Sequence, residues 1–268
     1  MPRSLMEIGT VEELKSMSWS DFTCPPTLEE FQHILKLCNA FWVYEGEPSK
    51  EKPHALLTSG QHSNGFINLG AVLKEYEEFR MLLACSLLHL PLGVDAAIQQ
   101  QVTGVVGSDS SATALAGDVA TILGVCHIKM VKAEDERGKR QEWPEDQRPI
   151  KPTDLVLHIE ELVTTASSTE AVRRGIREEF DYDVRYFPRI PCVIDRSYPE
   201  LPRVGESEFV AMFRYKIRNF NPNECPYCEI GSEAVAPKAN WAYLTLRRCG
   251  ICGEPAHEGG SEPCAMLE

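Results

Sequence analysis

Two stretches of this chain repeat the same order of apolar run, polar turn, amphipathic segment and second apolar run, and this order restricts the fold more than any other feature. The predicted strand, helix and strand are 102–106, 112–123 and 125–131 in the first stretch and 154–159, 168–180 and 184–194 in the second. Such repeats are typical of parallel sheets with crossover helices. The sequence therefore predicts an α/β fold with a doubly wound, mostly parallel sheet, in which ligands bind beyond the carboxyl ends of the strands.

The acidic composition limits the partners of the chain. The net charge is −13 at pH 7 and is spread along the sequence, which disfavours a broad surface for nucleic-acid phosphates. The longest apolar stretch, 81–92, is shorter than the roughly 20 residues of a membrane-spanning helix, and the first residues lack the apolar run of a secretory signal. We therefore expect a cytoplasmic protein with no nucleic-acid and no membrane partner, which can still bind small anions.

The apolar run of the second stretch ends in two neighbouring carboxylates and a run of hydroxyl side chains. Glu160 and Glu161 close the strand, and the hydroxyl residues that follow are Thr164, Thr165, Ser167, Ser168 and Thr169. Hydroxyls and free N–H groups at the start of a helix bind phosphate, and paired carboxylates suit ribose hydroxyls or a hydrated magnesium ion. The segment predicts a site for a phosphorylated sugar, and an ordinary helix cap with solvated carboxylates is the alternative.

Three further polar segments accompany this one. The segment 57–68 contains a Ser-Gly-Gln-His-Ser turn followed by Phe66 and Asn68. In 105–116, Gly107 and Ser108 directly follow a predicted strand. The segment 132–154 is mostly charged and has almost no apolar periodicity, which predicts a mobile surface loop.

Together the four segments resemble the type I phosphoribosyltransferase family, and its orotate-type members in particular, over residues 55–200. The hydroxyl run resembles the family's fingerprint for phosphoribosyl diphosphate (PRPP), and 132–154 stands where the family has a lid. The resemblance implies catalytic roles for Lys132, Glu160 and Glu161. The implied PRPP-binding residues are Thr164, Thr165, Ala166, Ser167, Ser168, Gly107 and Ser108. The implied base-binding residues are Ser59, His62, Ser63, Phe66 and Asn68.

The resemblance also implies an activity. We expect a pentosyltransferase of the glycosyltransferase class that uses Mg²⁺ and transfers phosphoribosyl from PRPP to a pyrimidine-like base, with orotate as the first candidate, and that forms a homodimer. Further candidates for the lid cation are Arg137, Lys139 and Arg140. The family usually has glycine where Ala166 and Ser167 stand, and Asp109 adds a like charge near the diphosphate. These departures keep open a non-catalytic PRPP or nucleotide regulator of the same fold.

The C-terminal segment carries two Cys-x-x-Cys knuckles. The four cysteines are Cys225, Cys228, Cys249 and Cys252, with 20 residues between the knuckles. This spacing predicts a four-thiolate Zn²⁺ site, which is structural because a closed site leaves no open coordination position. Alternative ligands are His257 and Cys264. A redox dithiol, or an interaction protein of the zinc-ribbon type with the α/β part as scaffold, are the other interpretations.

Shifts in composition predict a division into three parts. We expect residues 1–54 to form an N-terminal helical hood, 55–220 the phosphoribosyltransferase-like core and 221–268 the cysteine-rich zinc-binding segment. Thr27 and Glu30 form a capping-box pattern that predicts the start of a helix in the first part. The segment from Cys225 to Trp241 resembles the C-terminal ending of some bacterial orotate-type phosphoribosyltransferases.

Overall fold

The computed structural model describes residues 2–90, 100–108, 111–135, 138–197 and 202–245, with the backbone alone at residues 134, 135, 138 and 139. The chain divides into two compact units. The first comprises Met1–Cys38 and Asn68–Lys216, and the second comprises Asn39–Ile67 and Ile217–Glu268. Residues 39–67 therefore group with the C-terminal segment, whereas we expected boundaries after residues 54 and 220.

The longer helices lie in the first unit. The α-helices are α1 (Val11–Ser16), α2 (Leu28–Leu37), α3 (Leu69–Glu75), α4 (Glu77–Leu88), α5 (Ser111–Leu123), α6 (Ser167–Glu179), α7 (Pro226–Glu229) and α8 (Trp241–Leu244). Short 3-10 helices cover Leu5–Glu7, Trp19–Asp21 and Pro222–Glu224. Thr27 and Glu30 form the expected capping box at the start of α2. Within the described ranges, every helix is too short or too polar to cross a bilayer.

The longest strands lie in the first unit. The strands are β1 (Phe41–Val43), β2 (His54–Leu56), β3 (His62–Ser63), β4 (Gly65–Ile67), β5 (Gly104–Gly107), β6 (Cys126–Ile128), β7 (Val131–Asp135), β8 (Gly138–Glu142), β9 (Leu155–Val163), β10 (Arg185–Tyr186), β11 (Arg189–Asp195), β12 (Arg203–Val204), β13 (Ser207–Arg214), β14 (Asn219–Phe220) and β15 (Ala234–Val235). The strands of the second unit, β1 to β4, β14 and β15, have at most three residues each.

The main sheet of the first unit confirms the predicted fold class. Its strand order is β12-β13-β11-β9-β5-β6, with β10 beside β9. All of these pairings are parallel except that of β12 with β13. Numbered along the chain, the parallel strands β5, β6, β9, β11 and β13 lie in the order 2-1-3-4-5 of a doubly wound sheet. The direction of winding reverses between β5 and β9, which makes this pair the switch point.

The core of the first unit forms where the sheet is covered by helices. A buried cluster joins side chains of the sheet and of two connecting segments to one face of α6, namely Val106, Ile128, Met130, Ile150, Val156, Val172 and Ile176. Burial of each such side chain contributes about 1.5–3 kcal/mol relative to leaving it exposed. Because both faces of the sheet are covered, β9 is apolar and buried over most of its length, and this burial holds the strand ends of the site in place.

We had expected the charged segment after β6 to be a loop, but part of it forms regular structure. β7 and β8 pair as an antiparallel hairpin in which Lys132 lies opposite Gln141. Gln141 is buried, and a Cβ at Gly175 of α6 would overlap its carbonyl oxygen. Glycine at this position allows the hairpin backbone to approach the helix closely. The charge of the segment gave no indication of this contact, because the docking surface is largely backbone.

The second unit is a small sheet with few aliphatic side chains. Its order is β14-β3-β2-β15, and β1 pairs separately with β4. β2 and β3 form a hairpin whose turn is closed by a hydrogen bond from the Leu57 N–H to the Gln61 carbonyl, 2.8 Å long. Tyr227 of α7 is buried in the unit. Its ring packs against the rings of Tyr44, His54 and Phe220.

Candidate active site

Polar groups gather at the switch point of the main sheet. Gly107 ends β5 and pairs with Ile159 of β9, and Ser108 follows it. A Cβ at Gly107 would come within 2.5 Å of the Ala112 carbonyl oxygen, so glycine allows α5 to begin close to the strand end. The carboxyl ends of strands at a switch point are where doubly wound sheets bind their ligands.

Glu160 is the centre of a buried hydrogen-bond network at this point. Its Oε1 accepts hydrogen bonds from Ser108 Oγ at 2.5 Å and Thr169 Oγ1 at 2.8 Å, and His158 Nε2 lies 3.2 Å away. Glu160 is only 4% exposed, and its three partners are also buried. We expected this carboxylate at the end of the strand, but β9 continues to Val163. Glu160 therefore joins β9 to Ser108, the residue after β5, and to Thr169 in the first turn of α6.

Glu161 is on the opposite face of β9 from Glu160, because side chains alternate along a strand. Its Oε2 is buried and has no hydrogen-bond partner within the described part of the chain. Burial raises the pKa of Glu161 to about 7, the Ser111 hydroxyl and the charge of Lys132 oppose this rise, and the charge of Glu160 adds to it. The carboxyl group therefore changes its protonation state near neutral pH.

The turn after β9 holds a backbone conformation that glycine favours. Ala166 has φ 62° and ψ 9°, in the left-handed region, which costs a residue with a Cβ about 1–2 kcal/mol. Thr164, Thr165, Ser167 and Ser168 are exposed around it. The Thr165 hydroxyl donates to Ser167 Oγ at 3.2 Å. The predicted PRPP-binding residues of this turn thus surround the exposed N-terminus of α6, where N–H groups are available to an anion.

The predicted lid cations are partly described. Lys132 is exposed on β7, and its charge acts on the pKa of Glu161, so these two predicted catalytic residues are in electrostatic contact. Arg140 forms an ion pair with Glu142 at 2.6 Å. Outside the described residues and side chains lie Arg137, the side chain of Lys139 and Asp109. Among the predicted lid cations whose side chains the structure describes, Lys132 is the one whose charge acts on the pKa of Glu161.

The predicted base-binding residues fall in both units. Asn68 is the N-cap of α3 in the first unit. The second unit contains Ser59, His62, Ser63 and Phe66. Ser63 is buried and its hydroxyl donates to the Arg218 carbonyl at 2.9 Å, so it stabilises the small sheet where we had expected contact with a base. Ser59 is exposed in the β2–β3 turn and Phe66 is half-buried.

Of the predicted zinc ligands, Cys225 and Cys228 are described, and they lie beside two histidines. Cys228 Sγ is 3.2 Å from His62 Nδ1 and 3.6 Å from His54 Nε2, and Cys225 Sγ is 3.5 Å from His54 Nε2. His62 is therefore part of this Cys/His cluster, whereas we predicted that it faces the base. Burial, helped by His62, lowers the pKa of His54 to about 4. Outside the described residues are Cys249, Cys252, His257 and Cys264, so the four-thiolate set stays a prediction.

Sequence reasoning missed His54, Ser111 and His158. His158 had a usable signal, since it stands two residues before Glu160 in an apolar strand and must share its face. Burial lowers the pKa of His158, and the Glu160 carboxylate opposes this. His54 had no local signal, because its cysteine partners come much later in the chain.

The residues at the switch point suit a magnesium ion and PRPP. Mg²⁺ binds carboxylate oxygens, and Glu161 Oε2 is a buried carboxylate oxygen without a hydrogen-bond partner in the described ranges. The turn 164–168 presents hydroxyls and helix N–H groups to a phosphate. Glu161 would therefore hold the cation and this turn the phosphate.

The chain is similar in sequence to known enzymes. No family model matches the chain. The curated relatives include enzymes of the pentosyltransferase class, to which the chain is similar over most of their length. They are named orotate phosphoribosyltransferase. The protein of Chlorobium phaeobacteroides is 26% identical over 188 residues, which cover 69% of this chain and 86% of that protein.

A second relative and one solved structure are also similar to the chain. The orotate phosphoribosyltransferase of Pelotomaculum thermopropionicum is 27% identical over 189 residues, covering 69% of this chain and 87% of that protein. The crystal structure of orotate phosphoribosyltransferase from Aeropyrum pernix is similar with a TM-score of 0.46 and 16% identity, covering 69% of this chain and 93% of that one. The curated relatives support an enzyme of the pentosyltransferase class.

Proposed function

We propose that this chain is a magnesium-dependent phosphoribosyltransferase that transfers phosphoribosyl from PRPP to a pyrimidine-like base, with orotate as the preferred base. The observation that carries the proposal is the site at the switch point, where Ser108 and Thr169 hold Glu160 beside the exposed N-terminus of α6. The names of the curated relatives support the same reaction. The homodimer, the cytoplasmic location and the bound zinc ion are further parts of the proposal, and the zinc ligands are argued below.

In the proposed reaction a ring nitrogen of the base forms a bond to C1 of the ribose while the bond from C1 to diphosphate breaks, and the proton of that nitrogen is released to water or to the departing diphosphate. The turn 164–168 binds the 5-phosphate through N–H and hydroxyl groups. Glu161 orients the ribose directly or through the magnesium ion that would be bound with PRPP. A magnesium ion bound with PRPP would supply positive charge to the diphosphate. The positive charge of Lys132 stabilises the negative charge of the departing diphosphate. A reaction stabilised in this way needs no covalent nucleophile.

Fewer residues are proposed to contact the base than the sequence suggested. Ser59 and Phe66 keep this role because they are exposed or half-buried, and Asn68 keeps it from the family resemblance. Ser63 and His62 are not proposed as base contacts, because the Ser63 hydroxyl donates to a backbone carbonyl and His62 Nδ1 contacts Cys228 Sγ.

The direct test is calorimetric titration with PRPP, with and without Mg²⁺, followed by diphosphate release with orotate, uracil, adenine and hypoxanthine. We expect binding that requires Mg²⁺ and release with orotate. Ser168→Asp should abolish PRPP binding because it adds a negative charge at the phosphate turn, whereas Ser20→Asp adds the same charge at an exposed position of the same unit and should not. Absence of PRPP binding in the presence of Mg²⁺ would refute the proposal.

A second candidate is a regulator of the same fold that binds PRPP or a nucleotide without turnover. Ala166 favours it, because this residue places a Cβ in a left-handed turn where the family usually has glycine. PRPP binding without diphosphate release for any base would select this candidate over the enzyme.

A further inference from the structure

Four potential metal ligands of the second unit converge on one point. They are His54 Nε2, His62 Nδ1, Cys225 Sγ and Cys228 Sγ, and all lie within 4.8 Å of one another. They come from separate segments, with His54 on β2, His62 on β3 and the two cysteines at the start of α7. His54, His62 and Cys225 are buried, and Cys228 is exposed. This Cys/His cluster plays no part in the proposed phosphoribosyl transfer.

Four of the separations between these atoms are close to those of a tetrahedral zinc site. With Zn–N near 2.0–2.1 Å and Zn–S near 2.3 Å, a tetrahedral site separates two nitrogens by about 3.3 Å and a sulfur from a nitrogen by about 3.6 Å. The two histidine nitrogens are 3.0 Å apart. Three of the four sulfur–nitrogen distances are 3.2, 3.5 and 3.6 Å. These four separations are within a few tenths of an ångström of the tetrahedral values, and all four ligand atoms lie within 4.8 Å of one another.

A hydrogen-bond chain orients the ring of His54 for this role. Ser232 Oγ donates to the Lys52 carbonyl at 2.7 Å, so its lone pairs face His54 Nδ1, which is 2.9 Å away. The Nδ1–H of His54 therefore donates to Ser232, and Nε2 presents its lone pair to the cluster. Metal-binding histidines are typically held in this way, with the second ring nitrogen donating to a neighbouring acceptor.

We propose that His54, His62, Cys225 and Cys228 bind one zinc ion, which has a structural role in the second unit. Two imidazoles and two thiolates are a common ligand set for structural zinc, and the two thiolates neutralise the charge of the ion. Magnesium and calcium prefer oxygen ligands, which this set lacks. With four protein ligands, the site has no open position for a substrate.

This ligand set excludes the four-thiolate set expected from the sequence. Cys225 and Cys228 belong to both sets, and a tetrahedral ion that takes both histidines has no position for Cys249 or Cys252. The proposal does not depend on the reaction that the protein catalyses, because the metal content and ligands can be measured without an activity assay.

A zinc ion here would stabilise a unit that has little else to hold it together. It would join the β2–β3 hairpin to α7, while the strands of the unit have at most three residues. Small folds with limited cores commonly depend on such an ion, and the free energy of binding at a structural site is folding free energy. The ion would also fix the base of the hairpin whose turn carries Ser59.

The first experiment is elemental analysis of the full chain purified under reducing conditions without chelator. We expect about one zinc ion per chain, loss of the metal in His54→Ala and in the double variant Cys225→Ser with Cys228→Ser, and no loss in Cys126→Ser, a cysteine outside the cluster. The double variant Cys249→Ser with Cys252→Ser should also keep its zinc. Zinc that survives His54→Ala but is lost without Cys249 and Cys252 would overturn the proposal, as would metal-free wild-type protein.

The second experiment needs no variant and therefore does not depend on whether a variant folds. X-ray absorption at the zinc edge of the wild-type protein counts the sulfur and nitrogen ligands directly. We expect two of each, with the outer-shell scattering that imidazole rings produce. Four sulfurs and no imidazole scattering would assign the ion to the two knuckles and refute the His54 and His62 ligation, whatever the outcome of the phosphoribosyl-transfer assays.

Discussion

Glu161→Gln should make the protein more stable at neutral pH. The pKa of Glu161 in the folded chain is raised from 4.5 to about 7, so between these values the folded state retains a proton that the unfolded state releases. The free energy of unfolding therefore falls as pH rises through this range. Since each pKa unit corresponds to about 1.4 kcal/mol, the loss is about 3 kcal/mol and is complete above the folded pKa.

The assay is urea unfolding of the ligand-free protein from pH 4 to pH 8. Glutamine resembles the protonated carboxyl group, so the variant should lack this loss and exceed the wild type by about 3 kcal/mol at pH 8. Glu178→Gln, which removes an exposed carboxylate of α6, is the matched control and should follow the wild type. Taking the difference between variant and wild type removes the titration of other groups, such as the buried histidines.

The same substitution connects stability to ligand binding. If Glu161 holds a cation with PRPP, binding ionises it, and wild-type protein should release a proton on binding PRPP and Mg²⁺ below pH 7. Calorimetry in buffers of different ionisation enthalpy measures this proton, which Glu161→Gln should not release. A stability difference between variant and wild type that does not change with pH would refute the reasoning about Glu161.

Three further substitutions test other parts of the description. Gly175→Ala should lower the free energy of unfolding by about 1–3 kcal/mol, because the added Cβ would overlap the Gln141 carbonyl. Urea unfolding measures this change, and an unchanged value would contradict the close packing of the hairpin against the helix. Ala166→Gly should change stability by less than about 1 kcal/mol, since relief of the left-handed conformation offsets the entropy of glycine, and should tighten PRPP binding in calorimetry; weaker binding would count against the phosphate turn. Lys132→Ala should lower kcat by roughly 100-fold with a smaller change in KM, whereas Lys151→Ala, also exposed, should leave both unchanged; a change in KM alone would make Lys132 a binding residue.

The sequence was informative where structure depends on local pattern. Apolar runs predicted the strands β5 and β9, and amphipathic segments after them predicted the helices α5 and α6. The parallel sheet followed from the order of these elements. The hydroxyl turn was found because its residues are consecutive. The burial of Glu160 was not predictable in this way, since it depends on Ser108, which precedes it by 52 residues.

The second unit was the least predictable part of the chain. Strands of two or three residues have no measurable period. Their pairing joins distant segments, as when β15 adds to β2. The knuckle at Cys225 and Cys228 was recognised from its spacing, but spacing within one segment cannot identify ligands from another. His54 and His62 therefore became visible only once the chain was folded.

The segments of the two units alternate along the chain, so the second unit can be completed only late in translation. Cys225 follows His54 by 171 residues, and at about 5–20 residues per second the nascent chain carries His54 for roughly 10–30 s before the thiols are synthesised. During that interval residues 68–216, the larger part of the first unit, emerge and can fold together with residues 1–38, which were synthesised earlier. The small sheet cannot close, and a metal ion cannot be captured by all four side chains, until translation has passed the knuckle, so a messenger cut before codon 225 would yield a chain with one unit folded and the other permanently unassembled.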